Sequence, residues 1–157
     1  MTLKLYKFKG SSKKYWETWD DGSGNHTVHW GNLGEKGQTK TIKNSLLKKA
    51  TTIIQAEINS QIEAGFNPIE DLHCLLIEYK VDGFGTPEEL EKRHRLQDRM
   101  DETLGWTGLG HFDGGSVGSG SMEVCNFVVD VEIAKSVIAE DLKGTEFADY
   151  TRIFAES

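Results

Sequence analysis

Aromatic and lysine side chains are concentrated in one short stretch of the chain, His26 to Thr41, which contains HTVHWGNLGEKGQTKT. Trp30 offers a flat ring on which a base or a sugar can stack, and Lys36 and Lys40 offer charges that can neutralise phosphate. A Trp beside a tight turn can equally anchor a hairpin to a core, because Trp is mostly buried in folded proteins. The stretch therefore predicts a stacking surface, a hairpin anchor, or both.

The second half of the chain contains a few side chains of the types used in nucleophilic or metal chemistry. His111 and Asp113 could form a base and its orienting carboxylate, with Cys125 as the nucleophile. Zinc-ligand types occur without the spacing of a zinc motif: His73, Cys74, His111 and Cys125. Because both cysteines lie in apolar, strand-like segments, inert core cysteines are the favoured interpretation. We therefore predict no catalytic residue, no metal site and no cofactor, and thus no enzyme.

A glycine-rich segment, DGGSVGSG, follows Phe112 and shares its small residues with phosphate-binding loops. It lacks the Gly-Lys-Ser/Thr ending of a P-loop, no helix is predicted after it, and its surroundings are acidic. The segment therefore predicts a long β-hairpin loop, with small-ligand binding as the alternative.

Charge is distributed unevenly along the 157 residues. Residues 1–66 contain ten lysines and six acidic side chains, a net charge of +4, whereas residues 67–157 contain eight basic and nineteen acidic ones, a net charge of −11. A sign change of this size suggests two units with different partners. Near the change, Gly65 can cap a helix and Pro68 stops its continuation. We therefore predict two domains, residues 1–66 and 70–157.

The composition is that of a folded protein, since 37% of the residues are hydrophobic and 27% are charged. No run approaches the roughly 20 apolar residues that a membrane-spanning helix needs. The first ten residues lack the apolar segment of a signal peptide. Two cysteines are too few for a disulfide scaffold and favour a reducing compartment. These features predict a cytoplasmic protein with no membrane partner.

The first half changes from a two-residue to a 3.6-residue hydrophobic period. Strands are predicted at LKLYKF, KKYWETWD, HTVHW and QTKTIK, joined by turns rich in glycine. A helix is predicted from Ser45 to Gly65. Its inward-facing residues are Leu46, Leu47, Ala50, Ile53, Ile54, Ile58 and Ile62. Successive strand residues alternate faces, so Trp16 and Trp19 cannot both face this helix, and we expect Trp16 to point away from it.

The order of these motifs resembles the WGR domain, which is named for a Trp-Gly-Arg triplet followed by a glycine turn and KGQT. The similarity covers about residues 2–66, from KKYWETW through HWGNLGEKGQTKT to the EAGF after the helix. WGR domains occur in DNA-dependent poly(ADP-ribose) polymerases, where the triplet contacts the DNA backbone near a strand break, and in many bacterial proteins. The resemblance implies a nucleic-acid-binding site made of Trp30, Gly31, Asn32, Lys36, Gln38 and Lys40.

The third residue of the triplet departs from the family, because Asn32 stands where the WGR domain has Arg. Arg brings a permanent charge and a bidentate donor for phosphate, and Asn brings neither, although it suits a left-handed turn. Losing one phosphate contact lowers the affinity and its salt dependence without necessarily abolishing binding. Two functions therefore stay open. One is a non-enzymatic DNA-binding protein; the other is a protein-interaction or immunity-type protein whose WGR-like domain no longer binds DNA.

The second half follows the element order βαββαβ, that of a ferredoxin-like fold, so the chain as a whole is predicted to be α+β. Strands are predicted at HCLLIEYKV, GWTGLGHF, SMEVCNFVV and DYTRIFA. Thr86 and Glu89 form a capping box at the first helix, and Asp130 caps the second. The basic run EKRHR predicts a solvated helix face with charge pairs along that helix.

In a ferredoxin-like fold the helices cover one face of the sheet and leave the other for a partner. On the first strand, the uncovered face is predicted to carry Cys74, Leu76, Glu78 and Lys80, a set that is partly apolar. This face predicts a homodimer contact or docking of the N-terminal unit, through which the acidic half would mediate association or regulation. The segment LGWTGLGHFDGGSVGSGSMEV also resembles one that recurs in small bacterial proteins of unassigned role.

Overall fold

The structure is a computed structural model that describes residues 2–157. It divides the chain into two compact units, the first ending at Glu70 and the second beginning at Asp71. Each unit is built on a four-stranded antiparallel sheet, with one helix in the first unit and two in the second. The predicted α+β class is confirmed. Within residues 2–157, no helix is both long and apolar enough to cross a membrane.

The first sheet places its four strands side by side in chain order. They are β1 (Thr2–Lys9), β2 (Ser12–Asp20), β3 (His26–Asn32) and β4 (Gln38–Ile42), followed by the helix α1 (Ala50–Glu63). The register sets Trp16 opposite Trp30 and Thr18 opposite Val28, so these four side chains share one face. That face is the one α1 covers, because Trp16 and Val28 belong to the core that includes Ile54 of the helix.

Trp16 is a central member of this core, which contradicts the expectation that it points away from the helix. It is 4% exposed and packs with residues from every layer of the unit, namely Leu5, Val28, Ile42, Ala50 and Ile54. Trp19 lies on the opposite face, near His29. The alternation rule separated the two tryptophans correctly. It could not tell which face the helix covers, because that depends on contacts distant in sequence.

The helix α1 begins at Ala50, five residues later than the apolar period predicts. The side-chain oxygen of Asn44 accepts a hydrogen bond from the Ala50 amide at 3.1 Å, and Ser45 closes a bend with Lys48. Such side-chain bonds to the backbone compete with helix formation. Leu46 and Leu47 therefore lie outside the helix and in solvent, so the prediction that they face inward is wrong.

The other end of α1 follows the prediction. The helix ends at Glu63, and Gly65 adopts a left-handed conformation with φ of 101°. Ile62, predicted to face inward, is 50% exposed because it lies in the last turn. Beyond the helix, Asn67 pairs with Tyr6 of β1 through two backbone hydrogen bonds of 2.8 Å. The segment after the helix is thus attached to the first sheet.

The second sheet has the order β6-β7-β5-β8, and every neighbouring pair is antiparallel. The elements are β5 (His73–Lys80), α2 (Pro87–Trp106), β6 (Gly110–Gly118), β7 (Ser121–Val128), α3 (Val131–Leu142) and β8 (Arg152–Ala155). The predicted order βαββαβ is confirmed. The capping box of Thr86 and Glu89 is formed, and Asp130 accepts a hydrogen bond from the Ile133 amide at 2.9 Å.

The glycine-rich segment is a strand, so the prediction of a long hairpin loop is wrong. The helix α2 continues to Trp106, β6 starts at Gly110, and only residues 119–120 form the turn. A bulge precedes Gly114, whose φ is 119°, and a Cβ on Gly115 would lie 2.6 Å from the Glu123 carbonyl oxygen. The glycines thus serve a bulged strand rather than a loop.

Cys74 and Cys125 form a disulfide between β5 and β7, with their Cα atoms 6.0 Å apart. The interpretation as two free core cysteines is therefore wrong, and a nucleophilic Cys125 is not present in this form. Within residues 2–157, no group of three or more His, Cys, Asp or Glu side chains is placed to hold a metal ion. Because the two cysteines form a disulfide, the cysteine content no longer supports the prediction of a reducing compartment.

The basic run on α2 forms its short ion pairs with residues outside the helix. Lys92 pairs with Asp149 at 2.8 Å and Arg95 with Glu146 at 2.7 Å, both in the segment after α3. The pairs join α2 to the segment that leads into β8. Charge interactions along α2 are present as well, since the charge of Glu91 helps to raise the pKa of Arg95 and the charge of Lys92 helps to lower the pKa of Glu89.

Candidate nucleic-acid interface

Trp30 both anchors the hairpin and borders open space. It lies near the end of β3, packs against the core of the first unit, and remains half-buried. The Lys40 ammonium nitrogen lies 5.8 Å from the centre of an indole ring, within range of a cation–π contact. One side of Trp30 is therefore fixed by the core, and another part borders a cleft.

The turn after Trp30 requires two glycines. A Cβ on Gly31 would approach the Cα of Gly37 to 2.8 Å. Gly37 has a φ of 66°, and a Cβ there would clash with the Trp30 carbonyl. The β3–β4 connection thus folds tightly onto the strand only because both positions lack side chains. This accounts physically for the Trp-Gly pair and for the glycine of KGQT.

A buried polar network ties this connection to the sheet from the opposite face. The His29 ring has Nδ1 at 2.7 Å from a carboxylate oxygen of Glu17 and Nε2 at 2.6 Å from the Lys36 carbonyl oxygen. Because a carbonyl oxygen only accepts hydrogen bonds, Nε2 donates to it. The Tyr15 hydroxyl lies 3.1 Å from the same nitrogen and donates to the Glu35 carbonyl at 2.7 Å. Two carbonyls of the turn are thereby fixed.

The protonation of Tyr15 suits this role. Burial, and then the charges of Glu17 and Glu35, raise the pKa of the Tyr15 phenol well above its usual range. The phenol therefore stays neutral and keeps its donor proton at ordinary pH. The network positions the turn, and its only sign in the sequence is a histidine and a glutamate in two successive predicted strands.

A cleft of about 810 Å³ lies beside Trp30, between the ends of the four strands and the second half of α1. Five of the six residues that the sequence predicts for the site line it: Trp30, Gly31, Asn32, Gln38 and Lys40. The sixth, Lys36, does not line the cleft; its side chain is exposed and its carbonyl belongs to the His29 network. The lining also includes residues that sequence reasoning missed, among them Lys7, Lys9, Lys14, Glu57, Ser60 and Phe66.

The missed lysines form the most unusual feature of the cleft. Lys7 on β1 is directly opposite Lys14 on β2, and Lys14 is directly opposite Asn32 on β3. Like charges facing each other across a sheet are destabilising. Among residues 2–157, no carboxylate forms an ion pair with Lys7, Lys9 or Lys14. Three cations therefore border the cleft without a neutralising partner.

The acidic residues of the cleft are bound to other side chains that line it. Glu57 pairs with Lys40 at 2.6 Å, and Glu35 accepts a hydrogen bond from the Asn32 amide at 3.2 Å. The Glu57 charge reduces the positive potential near Lys40 and the Glu35 charge reduces it near Asn32, whereas Lys7 and Lys14 have no such carboxylate. An anion entering the cleft would therefore meet two lysines beside the position where the WGR triplet has Arg.

Comparison of the chain with models of known protein families, with curated proteins and with solved structures finds no match. The likeness to the WGR domain thus depends on the residues quoted above and on where they lie.

Proposed function

We propose that the first unit is a WGR-like module that binds nucleic acid, in particular DNA, through the cleft beside Trp30, and that the protein is not an enzyme. The observation that carries this proposal is the unneutralised pair of Lys7 and Lys14 on neighbouring strands. Such a pair lowers the stability of the free protein, and a bound polyanion offsets that cost. The half-buried indole of Trp30 supplies an adjacent surface for a sugar or base.

The row across the sheet explains how binding is compatible with Asn32. Lys14 lies directly opposite Asn32, and Lys7 lies directly opposite Lys14. The cationic contact that the family obtains from Arg is supplied, in this proposal, by lysines on the two preceding strands. Lysine is a point charge rather than a fork, so the contact neutralises phosphate without bidentate geometry. Gln38 and Lys40 extend the same lining.

A protein-interaction role without DNA is the alternative, and one observation favours it. The Asn32 amide is bound to Glu35, and a second carboxylate, that of Glu57, lines the cleft. Two acids in a phosphate site weaken binding by repulsion. The two functions differ in salt dependence, because phosphate neutralisation releases counterions and an apolar protein contact does not.

The test is fluorescence anisotropy of a labelled nicked duplex with the full chain at about 50 mM and 200 mM salt. A Lys7→Gln, Lys14→Gln variant should bind more weakly, with a salt slope lower by about two, because each phosphate contact contributes about 0.9. Trp30→Ala should weaken binding with the slope unchanged. Lys13→Gln is the matched control, since Lys13 is next in sequence to Lys14 and contacts Phe8. No binding at low salt would contradict the proposal.

For the second unit we propose a ferredoxin-like fold that associates into a homodimer through the uncovered sheet face. The strand order β6-β7-β5-β8 is the ferredoxin-like order when the four strands are numbered within the unit. The uncovered face brings together Leu76, Phe127 and Phe154 around the disulfide. Both aromatic rings are half-buried, and Arg152 stacks 3.8 Å from the Phe154 ring centre.

Sedimentation velocity at two protein concentrations tests this association. Phe127→Ser should shift the sedimenting species from dimer toward monomer. A stable interface usually needs about 800 Å² of well-packed surface from each partner, and this substitution removes an aromatic ring from that surface. Phe84→Ser is the control, since Phe84 is 73% exposed on the loop before α2. A monomer at both concentrations in the wild type would contradict the homodimer and leave the cleft proposal untouched.

A further inference from the structure

The bend between β4 and α1 holds two neighbouring leucines entirely in solvent. Leu46 and Leu47 have exposures of 107% and 100%. Burying one leucine side chain is worth about 1.5–3 kcal/mol. Single exposed apolar residues are ordinary on protein surfaces, whereas two adjacent ones at full exposure form a site from which a partner can gain binding energy.

The bend is hydrogen-bonded on both sides. The Ser45 amide donates to the Lys48 carbonyl at 3.1 Å, and the Lys48 amide donates to the Ser45 hydroxyl oxygen at 3.0 Å. The Asn44 amide donates to the side chain of Asn25 at 3.0 Å, which attaches the bend to the turn after β2. Asn44 also caps Ala50 of α1. The two leucines are thus presented at the tip of a defined turn.

The tip is surrounded by positive charge. From Lys36 to Ala56 the chain contains five lysines and no acidic residue. Three of these lysines, Lys43, Lys48 and Lys49, lie within three residues of the leucine pair and are exposed. Within residues 2–157 none of the three has an ion-pair partner. The chemistry of the tip therefore fits an anionic partner that has an apolar interior within reach of two side chains.

Nucleic acid meets this description, and a nucleic acid bound in the cleft can extend to the bend. The strand β4 leads from Gln38 and Lys40 at the cleft toward the bend, and its five residues span about 17 Å at about 3.4 Å per residue. That length equals about five base steps. Stacked bases form an apolar interior between rows of phosphates, and leucine is among the side chains that proteins insert there. A bilayer surface fits less well, because membrane-surface elements present a whole apolar face.

We infer that Leu46 and Leu47 form a wedge that enters the base stack of the nucleic acid held in the cleft, with the flanking lysines on the adjacent phosphates. This inference rests on the proposed function. It specifies the substrate as DNA that has a weakly stacked step, such as a mismatch, about five steps from the cleft contact. Insertion there costs less than in a fully stacked duplex.

The test uses the full chain and duplexes that carry 2-aminopurine, which brightens on unstacking, at a mismatch or in a fully paired sequence. The wild type should bind the mismatched duplex about 10-fold more tightly and raise its fluorescence. Leu46→Ser with Leu47→Ser should abolish both effects while keeping the salt slope, because two fully exposed side chains contribute little to folding. Ile62→Ser, at a half-exposed position of α1, is the matched control.

The outcomes separate this inference from the proposed function. DNA binding by the double variant with unchanged mismatch preference and fluorescence would overturn the wedge and leave the cleft proposal intact. No DNA binding by the wild type would overturn both. Loss of binding to phosphatidylserine vesicles in the double variant, with DNA behaviour unchanged, would replace the wedge with a membrane contact.

Discussion

The two units differ in how many of their basic side chains are neutralised, although Lys4 and Lys40 of the first unit also pair with carboxylates. In the second unit, four cations each meet a carboxylate oxygen within 3.1 Å: Lys92 with Asp149, Arg95 with Glu146, Arg99 with Asp141, and Arg152 with Glu78. In the first unit, Lys7 and Lys14 face each other instead, and no carboxylate of residues 2–157 neutralises them. Pairing within the chain serves the fold. A like-charged pair beside a cleft costs stability, and in our proposal a bound anion offsets that cost.

The sheet faces that the helices leave uncovered differ as well. In the first unit this face is closed by the hydrogen-bonded network of Tyr15, Glu17 and His29, which fixes the turn of the candidate site. In the second unit it carries the disulfide and half-buried aromatic rings, including Phe127. A satisfied polar face needs no partner, whereas a partly apolar face gains from one. The contrast is the basis on which we propose ligand binding for the first unit and association for the second.

The largest expected effect comes from the first unit's network. His29→Leu should lower the free energy of unfolding of this unit by about 3–5 kcal/mol, because the buried Glu17 carboxylate loses its 2.7 Å contact with His29 and keeps only Lys4, at 3.9 Å. Urea unfolding of the full chain, followed by tryptophan fluorescence, measures this loss. His26→Leu is the control, since the buried His26 Nε2 has no hydrogen-bond partner among residues 2–157. Equal losses in the two variants would show that the network does not stabilise the unit.

The disulfide provides the corresponding test in the second unit. Cys74→Ser with Cys125→Ser should lower the free energy of unfolding by about 2–4 kcal/mol, because the bridge closes a loop between residues 51 positions apart. Urea unfolding monitored by circular dichroism, with and without a reducing agent, measures the effect. The reducing agent should destabilise the wild type and leave the double variant unchanged. Equal stability of the two proteins would mean that the bridge adds nothing to this unit.

A smaller effect is expected from placing at residue 32 the charge that the WGR triplet has at its third position. Asn32→Arg adds a cation to the row of Lys7 and Lys14, so DNA affinity should rise about 10-fold and the salt slope should steepen by about one. Anisotropy titrations at several salt concentrations measure both quantities. Asn32→Gln, which keeps an amide, should change neither by much. An Arg variant with unchanged affinity would indicate that the cleft does not contact phosphate.

Local signals made most of the fold predictable. The capping box of Thr86 and Glu89 and the change of period before α1 depend on residues close in sequence, and the structure contains both features. The prediction of the helix start was wrong because the apolar period continues through Leu46 and Leu47. Asn44 and Ser45 close a turn there by hydrogen bonds, which the periodicity does not show.

The candidate site was predictable only in part, for a different reason. Residues contiguous with the motif, such as Trp30 and Lys40, could be named from the sequence, and they line the cleft. The opposition of Lys7 and Lys14 depends on strand register, and the Cys74–Cys125 bridge depends on which strands are neighbours. Both are long-range properties that a one-dimensional pattern does not specify.

The smallest expected effect concerns exposed carboxylates of the second unit. The backbone amide of Thr86 lowers the pKa of Glu89, and the hydrogen bond from Arg95 lowers the pKa of Glu146. A carboxylate whose pKa is lower in the folded state stabilises the fold above its ordinary pKa, 4.5 for glutamate, and this stabilisation is lost as the pH falls through the folded-state value. We therefore expect the second unit to lose stability in acid at these two sites. Urea unfolding between about pH 7 and pH 3 should show a shallower decline for Glu89→Gln and Glu146→Gln than for the wild type. Identical declines would mean that the carboxylates of Glu89 and Glu146 do not contribute to the acid sensitivity of the second unit.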